Sequence, residues 1–215
     1  MSRKRKIVLY TFVGITIILL VGLYFSPYRH LVPGMQPASI SQAEYINAKK
    51  QAKSLYDTSK KNIAICKYIT EKIFPFWYST LYDFNGTTEQ PRKGKIACGY
   101  FVATILRDAG FDIKREKMAQ MPSEKMIREL LLDKYITRYS NIDIEDFVKK
   151  LGPPQNKLYI VGLDTHIAFL MGEENTWYMV HSSGRWPFCV IKEKALESKT
   201  LKKSNYKVVG RLSDQ

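Results

Sequence analysis

The sequence predicts an α+β domain, and two observations carry that prediction. Segments with helical spacing of apolar residues fill the chain up to about residue 151. Strand-like runs dominate afterwards, at Leu158–Leu163, Thr165–Met171, Thr176–Ser182, Phe188–Lys192 and Tyr206–Leu212. Helices gathered ahead of an antiparallel sheet are the signature of the α+β class. A third observation concerns what precedes the domain. Arg3, Lys4, Arg5 and Lys6 stand before an uncharged apolar run from Ile7 to Phe25. As a helix that run would span about 28 Å, close to the thickness of a bilayer core.

The elements follow in chain order. Residues 1–25 read as a cytoplasmic basic stub and a transmembrane anchor, with the N-terminus inside by the positive-inside rule. No A-x-A-like cleavage site follows, the run is long for a signal peptide, and no cysteine near its end could take a lipid. Residues 26–40, with Pro27, Pro33, Gly34 and Pro37, read as a linker. The remainder, 41–215, is long enough for one domain with a proper core. Ser41-Gln42-Ala43-Glu44 resembles a capping box and should start a helix. One or two helices run to about Ile73, broken near Asp57-Thr58-Ser59 and ended by Phe74-Pro75-Phe76-Trp77. A loop through Tyr82-Asp83-Phe84-Asn85-Gly86 leads to Lys95. A helix opens at Cys98, and Pro122 suits the first turn of another through about Leu132. A short helix from Ile142 to Leu151 is closed by Gly152-Pro153-Pro154. The strands come next.

Charge bounds the partners. The chain carries a formal +14, and +10 without the four N-terminal basic residues. A basic exported domain suits an anionic cell-envelope polymer or lipid head groups. No recognised nucleic-acid motif is present, and export argues against nucleic acid as a partner. The expected location is the cell membrane, single-pass, with the domain periplasmic or extracellular.

Three cysteines, Cys66, Cys98 and Cys189, do not make a disulfide framework. Cys66 has core spacing with Ile63, Ile69 and Ile73, as a buried, inert thiol would. A Cys66–Cys189 bridge is open to an oxidising compartment. Cys98 differs. It opens a segment with apolar residues at 98, 101, 102, 105, 106 and 109, and Gly110 stops it. A cysteine in the first turn of a buried helix lies where the dipole and free backbone N–H groups favour the nucleophilic thiolate.

Two of the three histidines, His166 and His181, fall on one hairpin. With Gly172-Glu173-Glu174-Asn175 as a four-residue turn, Met171 pairs with Thr176 and His166 with His181. Directly opposed residues share a face, so the imidazoles can hydrogen-bond, one orienting the other. A one-residue slip would separate them. Cysteine at a helix start with a base and an orienting group is the logic of a catalytic triad.

Cys98 with its helix, then His166-Ile167-Ala168-Phe169-Leu170-Met171-Gly172, then Val180-His181-Ser182-Ser183, resembles the NlpC-type family of cell-wall cysteine peptidases in the papain-like superfamily. The resemblance covers roughly residues 75–192. It implies a nucleophile helix packed on an antiparallel sheet, with Cys98 as nucleophile, His166 as general base and His181 as third polar residue. It also implies that Tyr82, in a loop like the family's "Y-x-W-G-G", assists oxyanion binding. The family usually has Asp before the nucleophile and Ser-Gly after it, where this chain has Ala97 and Gly99-Tyr100. Ala168 replaces a common glycine, and the stretch between Cys98 and His166 carries extra helical material.

The expected activity is that of a membrane-anchored, exported cysteine peptidase or amidase cleaving a peptidoglycan stem-peptide amide by a Cys-His-His mechanism. That mechanism needs no cofactor or metal. The alternative is an inactive papain-like module that binds cell wall or a partner protein. Cys98, His166 and His181 are also metal-ligand types, without the close paired spacing of a zinc motif. His30, beside Arg29, reads as a surface residue. Trp77, Trp177 and Trp186 could line a groove or fill a core, and for Trp177 core is favoured.

Overall fold

Residues 41–58 and 62–214 are described by a computed structural model of the chain. The expected basic stub, anchor, linker and His30 lie outside those residues. Among the described residues no helix is long and apolar enough to cross a membrane.

The α+β reading holds. The helices α1 (Gln42–Thr58) and α2 (Asn62–Tyr68) come first. A π-helical turn over Ile69–Ile73 carries α2 into α3 (Phe74–Trp77), so Phe74 and Pro75 extend the helix by a turn where the sequence predicted its end. Pro75 falls directly after the π turn, in the first turn of α3. The buried stripe of α2 and the π turn is Ile65, Cys66, Ile69 and Ile73. Ile63, expected in that stripe, is 47% exposed instead.

Two short strands, β1 (Leu81–Tyr82) and β2 (Lys95–Ile96), pair in parallel ahead of α4 (Cys98–Asp108). The helices α5 (Arg115–Ala119) and α6 (Ser123–Leu130) follow, with Pro122 as the N-cap residue of α6. Then come β3 (Ile136–Ser140), α7 (Ile144–Lys150), β4 (Leu158–Leu163), β5 (Ile167–Glu173), β6 (Thr176–Ser182), β7 (Val190–Lys194), α8 (Lys199–Lys203) and β8 (Tyr206–Arg211).

One six-stranded sheet has the order β3-β8-β4-β5-β6-β7, and each neighbouring pair is antiparallel. Strand β3 is absent from the sequence reading. It is an edge strand with a single buried residue, Ile136, so it shows little of the apolar alternation that marks a strand.

Alternation along β5 divides the core. Ile167, Phe169 and Met171 face α4 and the N-terminal helices, while Ala168 and Leu170 face the layer built with α7 and α8. On the first side Phe101 of α4 meets Phe169 edge-on at 6.0 Å between ring centres, and Phe74 meets Phe169 at 5.2 Å. Trp77 and Trp177 are both buried, and only Trp186 of the three tryptophans is exposed.

The C-terminal end of α4 is tied to α1 by polar groups inside the protein. Tyr45 Oη donates to Asp108 Oδ2 at 2.6 Å, and Trp77 Nε1 donates to Tyr45 Oη at 2.8 Å. Lys49 Nζ lies 3.0 Å from Asp108 Oδ1, and Arg107 Nε donates to the same oxygen at 2.9 Å. Burial, with the Asp108 charge beside it, pushes the Tyr45 phenol well above its ordinary pKa, so it serves as a neutral donor. Tyr45→Phe strips a donor from buried Asp108 and an acceptor from Trp77. It should lower the unfolding free energy by about 1–3 kcal/mol, measured by denaturant titration.

Candidate active site

The site is assembled around the N-terminus of α4. Cys98 is its first helical residue, and the preceding Ala97 is extended (φ −81°, ψ 161°) with no side-chain cap. The first backbone N–H groups therefore have no intrahelical acceptor and no cap to take them. The backbone N–H groups of Ile167, Gly99 and Cys98 itself act on the Cys98 sulfur in the direction that favours its ionised form. Ile167 is the first residue of β5, so the thiol sits against the backbone beside His166.

Helix α5 closes over the same end. A Cβ on Gly99 would come within 2.3 Å of the Ala119 carbonyl oxygen, so only glycine fits there. Arg115 fastens α5 in place. Its Nε donates to Thr104 Oγ1 at 2.7 Å, its Nη2 reaches the Thr87 and Thr88 carbonyls at 2.9 and 3.1 Å, and its guanidinium lies over the Tyr100 ring.

His166 Nε2 and His181 Nδ1 are 2.8 Å apart, with the rings nearly perpendicular. The expected contact is present, but the expected register is not. Glu173 pairs with Thr176, Met171 with Tyr178 and Phe169 with Val180. The hairpin turns over Glu174 and Asn175 alone, with Glu174 at φ +51°. Gly172 therefore belongs to the strand. It is glycine because the Pro154 carbonyl packs onto it, where a Cβ would lie 1.6 Å from the oxygen. His181 thus faces the position of Ala168 rather than that of His166. The displacement is two residues, and an even displacement preserves the face, so the histidines meet diagonally.

A fourth group continues the diagonal, and the sequence reading does not contain it. His181 pairs with Ile191 and Met179 with Glu193 on β7, so Glu193 shares the face of His181. His181 Nε2 lies 3.3 Å from Glu193 Oε1, outside hydrogen-bond geometry but close enough for charge to act. Burial alone would raise the Glu193 carboxyl. Its contacts with His181 and Ser198 hold it below the usual range. By strand alternation His181 and Glu193 lie on the sheet face away from α4, whereas Cys98 lies on the α4 side, near the N–H of Ile167.

Tyr82 is brought to the site by β1. It pairs with Ile96, two residues before Cys98, and its N–H donates to the Phe188 carbonyl at 2.8 Å. Its ring packs on Gly184. Burial and the nearby Cys98 and Asp83 charges raise its phenol pKa. Leu81, Phe84, Trp186 and Phe188, on the two segments that meet at Tyr82, are all exposed large hydrophobics. A cleft of about 500 Å³ lined by residues including Cys66, Glu71, Lys157 and Lys192 lies at the opposite end of β5 and contains none of the site residues.

The electrostatics correct one expectation. Burial pushes the Cys98 thiol above its ordinary pKa, and the three N–H groups only partly offset this. Burial, with the charges of His181 and Arg185, pulls His166 down to about 3. Both shifts favour the neutral thiol and the neutral imidazole, rather than a thiolate formed in advance by the helix dipole. Desolvation of a whole charge outweighs a terminal dipole of about half a charge.

None of the three cysteines is in a disulfide, so the Cys66–Cys189 bridge is absent. Among the described residues no group of three or more His, Cys, Asp or Glu side chains is placed to hold a metal ion. The chain matches no known protein family, no curated protein and no solved structure.

Two expectations follow. Burial pushes Cys66 and Cys189 each to about 12, and both are buried, whereas Cys98 is half-buried. Alkylation of the folded protein with peptide mapping should therefore label Cys98 first, the others only on unfolding. The second expectation concerns acid. His166 has a folded pKa of about 3 against an ordinary 6.5, so the unfolded chain holds the extra proton between these values. Stability from this group is complete above about 6.5 and falls as pH drops toward 3, by at most about 1.4 kcal/mol per pH unit. Denaturant unfolding across that window should give a shallower loss for His166→Gln than for wild type.

Proposed function

We propose that the protein is a cysteine hydrolase of papain-like, NlpC-type architecture, acting on an amide bond. The observation that supports this best is the His166 Nε2–His181 Nδ1 hydrogen bond at the point where β5 begins, with the Cys98 thiol against the N–H of Ile167. The residues come from three separate elements, and the cysteine opens a buried helix with free N–H groups.

In this reading His166 takes the thiol proton at Nδ1, the nitrogen not bonded to His181, as the sulfur attacks the amide carbonyl. Because the resting pair is neutral, proton transfer accompanies attack. The Cys98 N–H and the Tyr82 hydroxyl would stabilise the oxyanion. His166 then protonates the leaving amine, a thioester remains on Cys98, and water releases the acid. His181 holds the His166 ring throughout.

The substrate we propose is a peptidoglycan stem-peptide amide, on the basis of the sequence resemblance, the basic domain and the apolar run at 7–25. That run would anchor the protein in the cell membrane with the domain on the outer side, facing an anionic envelope polymer.

Incubation with purified wall fragments and mass analysis of the products tests the reading. Wild type should release a defined peptide, and Cys98→Ala or His166→Ala should abolish release while leaving the fold intact. Tyr82→Phe should slow turnover about a hundredfold, as loss of one oxyanion donor does. Retention of the protein on wall material without cleavage would instead support a binding module.

A further inference from the structure

The His181 ring is 1% exposed and both its nitrogens are addressed. Nδ1 meets His166 Nε2 at 2.8 Å, and Nε2 lies 3.3 Å from Glu193 Oε1 with no hydrogen-bond partner. A neutral imidazole carries its proton on one nitrogen only. If that proton were on Nδ1, the lone pair of Nε2 would point at a carboxylate inside the protein. If it is on Nε2, the N–H dipole points at the negative charge, which is favourable at this distance even without an aligned hydrogen bond. The second arrangement leaves Nδ1 of His181 as an acceptor. His166 Nε2 must then be the donor, and the neutral His166 ring keeps an unprotonated Nδ1.

We propose that Glu193 is a positioning residue that fixes the tautomer of His181, and through it that of His166, so that His166 Nδ1 is free to accept a proton. The use of that nitrogen rests on the hydrolase reading; the tautomer chain does not. The carboxylate is itself held. Ser198, fully buried, helps to hold it in the charged form; its hydroxyl donates to Met179 Sδ at 3.4 Å and caps α8 by accepting from the Leu201 N–H at 3.2 Å. Arg185 is the other charged group acting on both Glu193 and His166. The three residues lie on successive strands, β5 beginning at the residue after His166, so one register sets all of their spacings.

The tautomers can be read without any substrate. The full chain, ¹⁵N-labelled at histidine in detergent micelles, contains only three histidines, and single substitutions assign their signals. Long-range ¹H–¹⁵N correlation near neutral pH should show an unprotonated Nδ1 and a protonated Nε2 in both His166 and His181. Glu193→Gln keeps the shape and removes the charge. It should lower the ratio of the Nε2–H to the Nδ1–H form of His181 about tenfold or more, the worth of one interaction with a charged partner, and His166 should follow. Glu193→Ala should do the same, and the isosteric variant carries the test if the alanine variant does not fold. A wild-type His181 protonated on Nδ1 would overturn the proposal, as would unchanged tautomers in Glu193→Gln. A protein with the expected tautomers that cleaves no wall fragment would sink the hydrolase reading and leave this inference standing. A cleaving enzyme whose tautomers ignore Glu193 would do the reverse.

Discussion

The architecture depends on burying α4 on almost every side. Phe101 through Leu106 are all buried, between the sheet on one face and α1 to α3 on the other. Apart from Thr104, which receives Arg115, such a helix does its polar work at its two ends, and the two ends are treated differently. The C-terminal end is pinned by Asp108, whose carboxylate is shared among Tyr45, Lys49 and Arg107. The N-terminal end has no side-chain cap, and the N–H groups of Cys98 and Gly99 there favour charge on the Cys98 sulfur. Fixing one end this firmly determines where the other points, and Phe169 under the helix sets the height of Cys98 above β5.

Enclosure has an electrostatic cost that decides the resting state. A thiolate and an imidazolium would each lose hydration, and three backbone donors recover only part of that loss for sulfur. Burial accordingly favours the uncharged forms of Cys98 and His166. In the proposed hydrolase a carbonyl entering beside the thiol would take up the negative charge on its oxygen, and the positive charge would form on His166, whose neighbour His181 lies beside the Glu193 carboxylate. The polar diagonal on the far sheet face would then stabilise a cation present only in that proposed reaction.

Much of this was legible in the residues. The apolar spacing from 98 to 109 and the stop at Gly110, at φ +102°, described α4 almost to the residue. The facing of His166 and His181 was legible because parity survives a two-residue shift, even though the register itself was misread. That misreading came from Gly172. A glycine before Glu-Glu-Asn reads as a turn, but its role is to admit the Pro154 carbonyl, a tertiary fact with no local signature. Glu193 was invisible for a similar reason: its partner lies on a strand whose pairing no short motif fixes. Strand β3 was missed because a one-sided edge lacks contrast. The sign of the Cys98 shift depends on how dry the helix end is, which sequence does not report.

The close approach of α5 to Gly99 has a consequence for which residues may vary together. The NlpC-type pattern that the sequence resembles has a serine at the place where this chain has Gly99, followed by Tyr100. With the Ala119 carbonyl 2.3 Å from where a Cβ would stand, a serine at that place and a helix at 115–119 exclude one another. Helix α5 and the glycine at 99 are therefore one requirement rather than two. A chain with this fold that keeps α5 has to keep the glycine. Tyr100 is part of the same arrangement, since its ring is what the Arg115 guanidinium lies over.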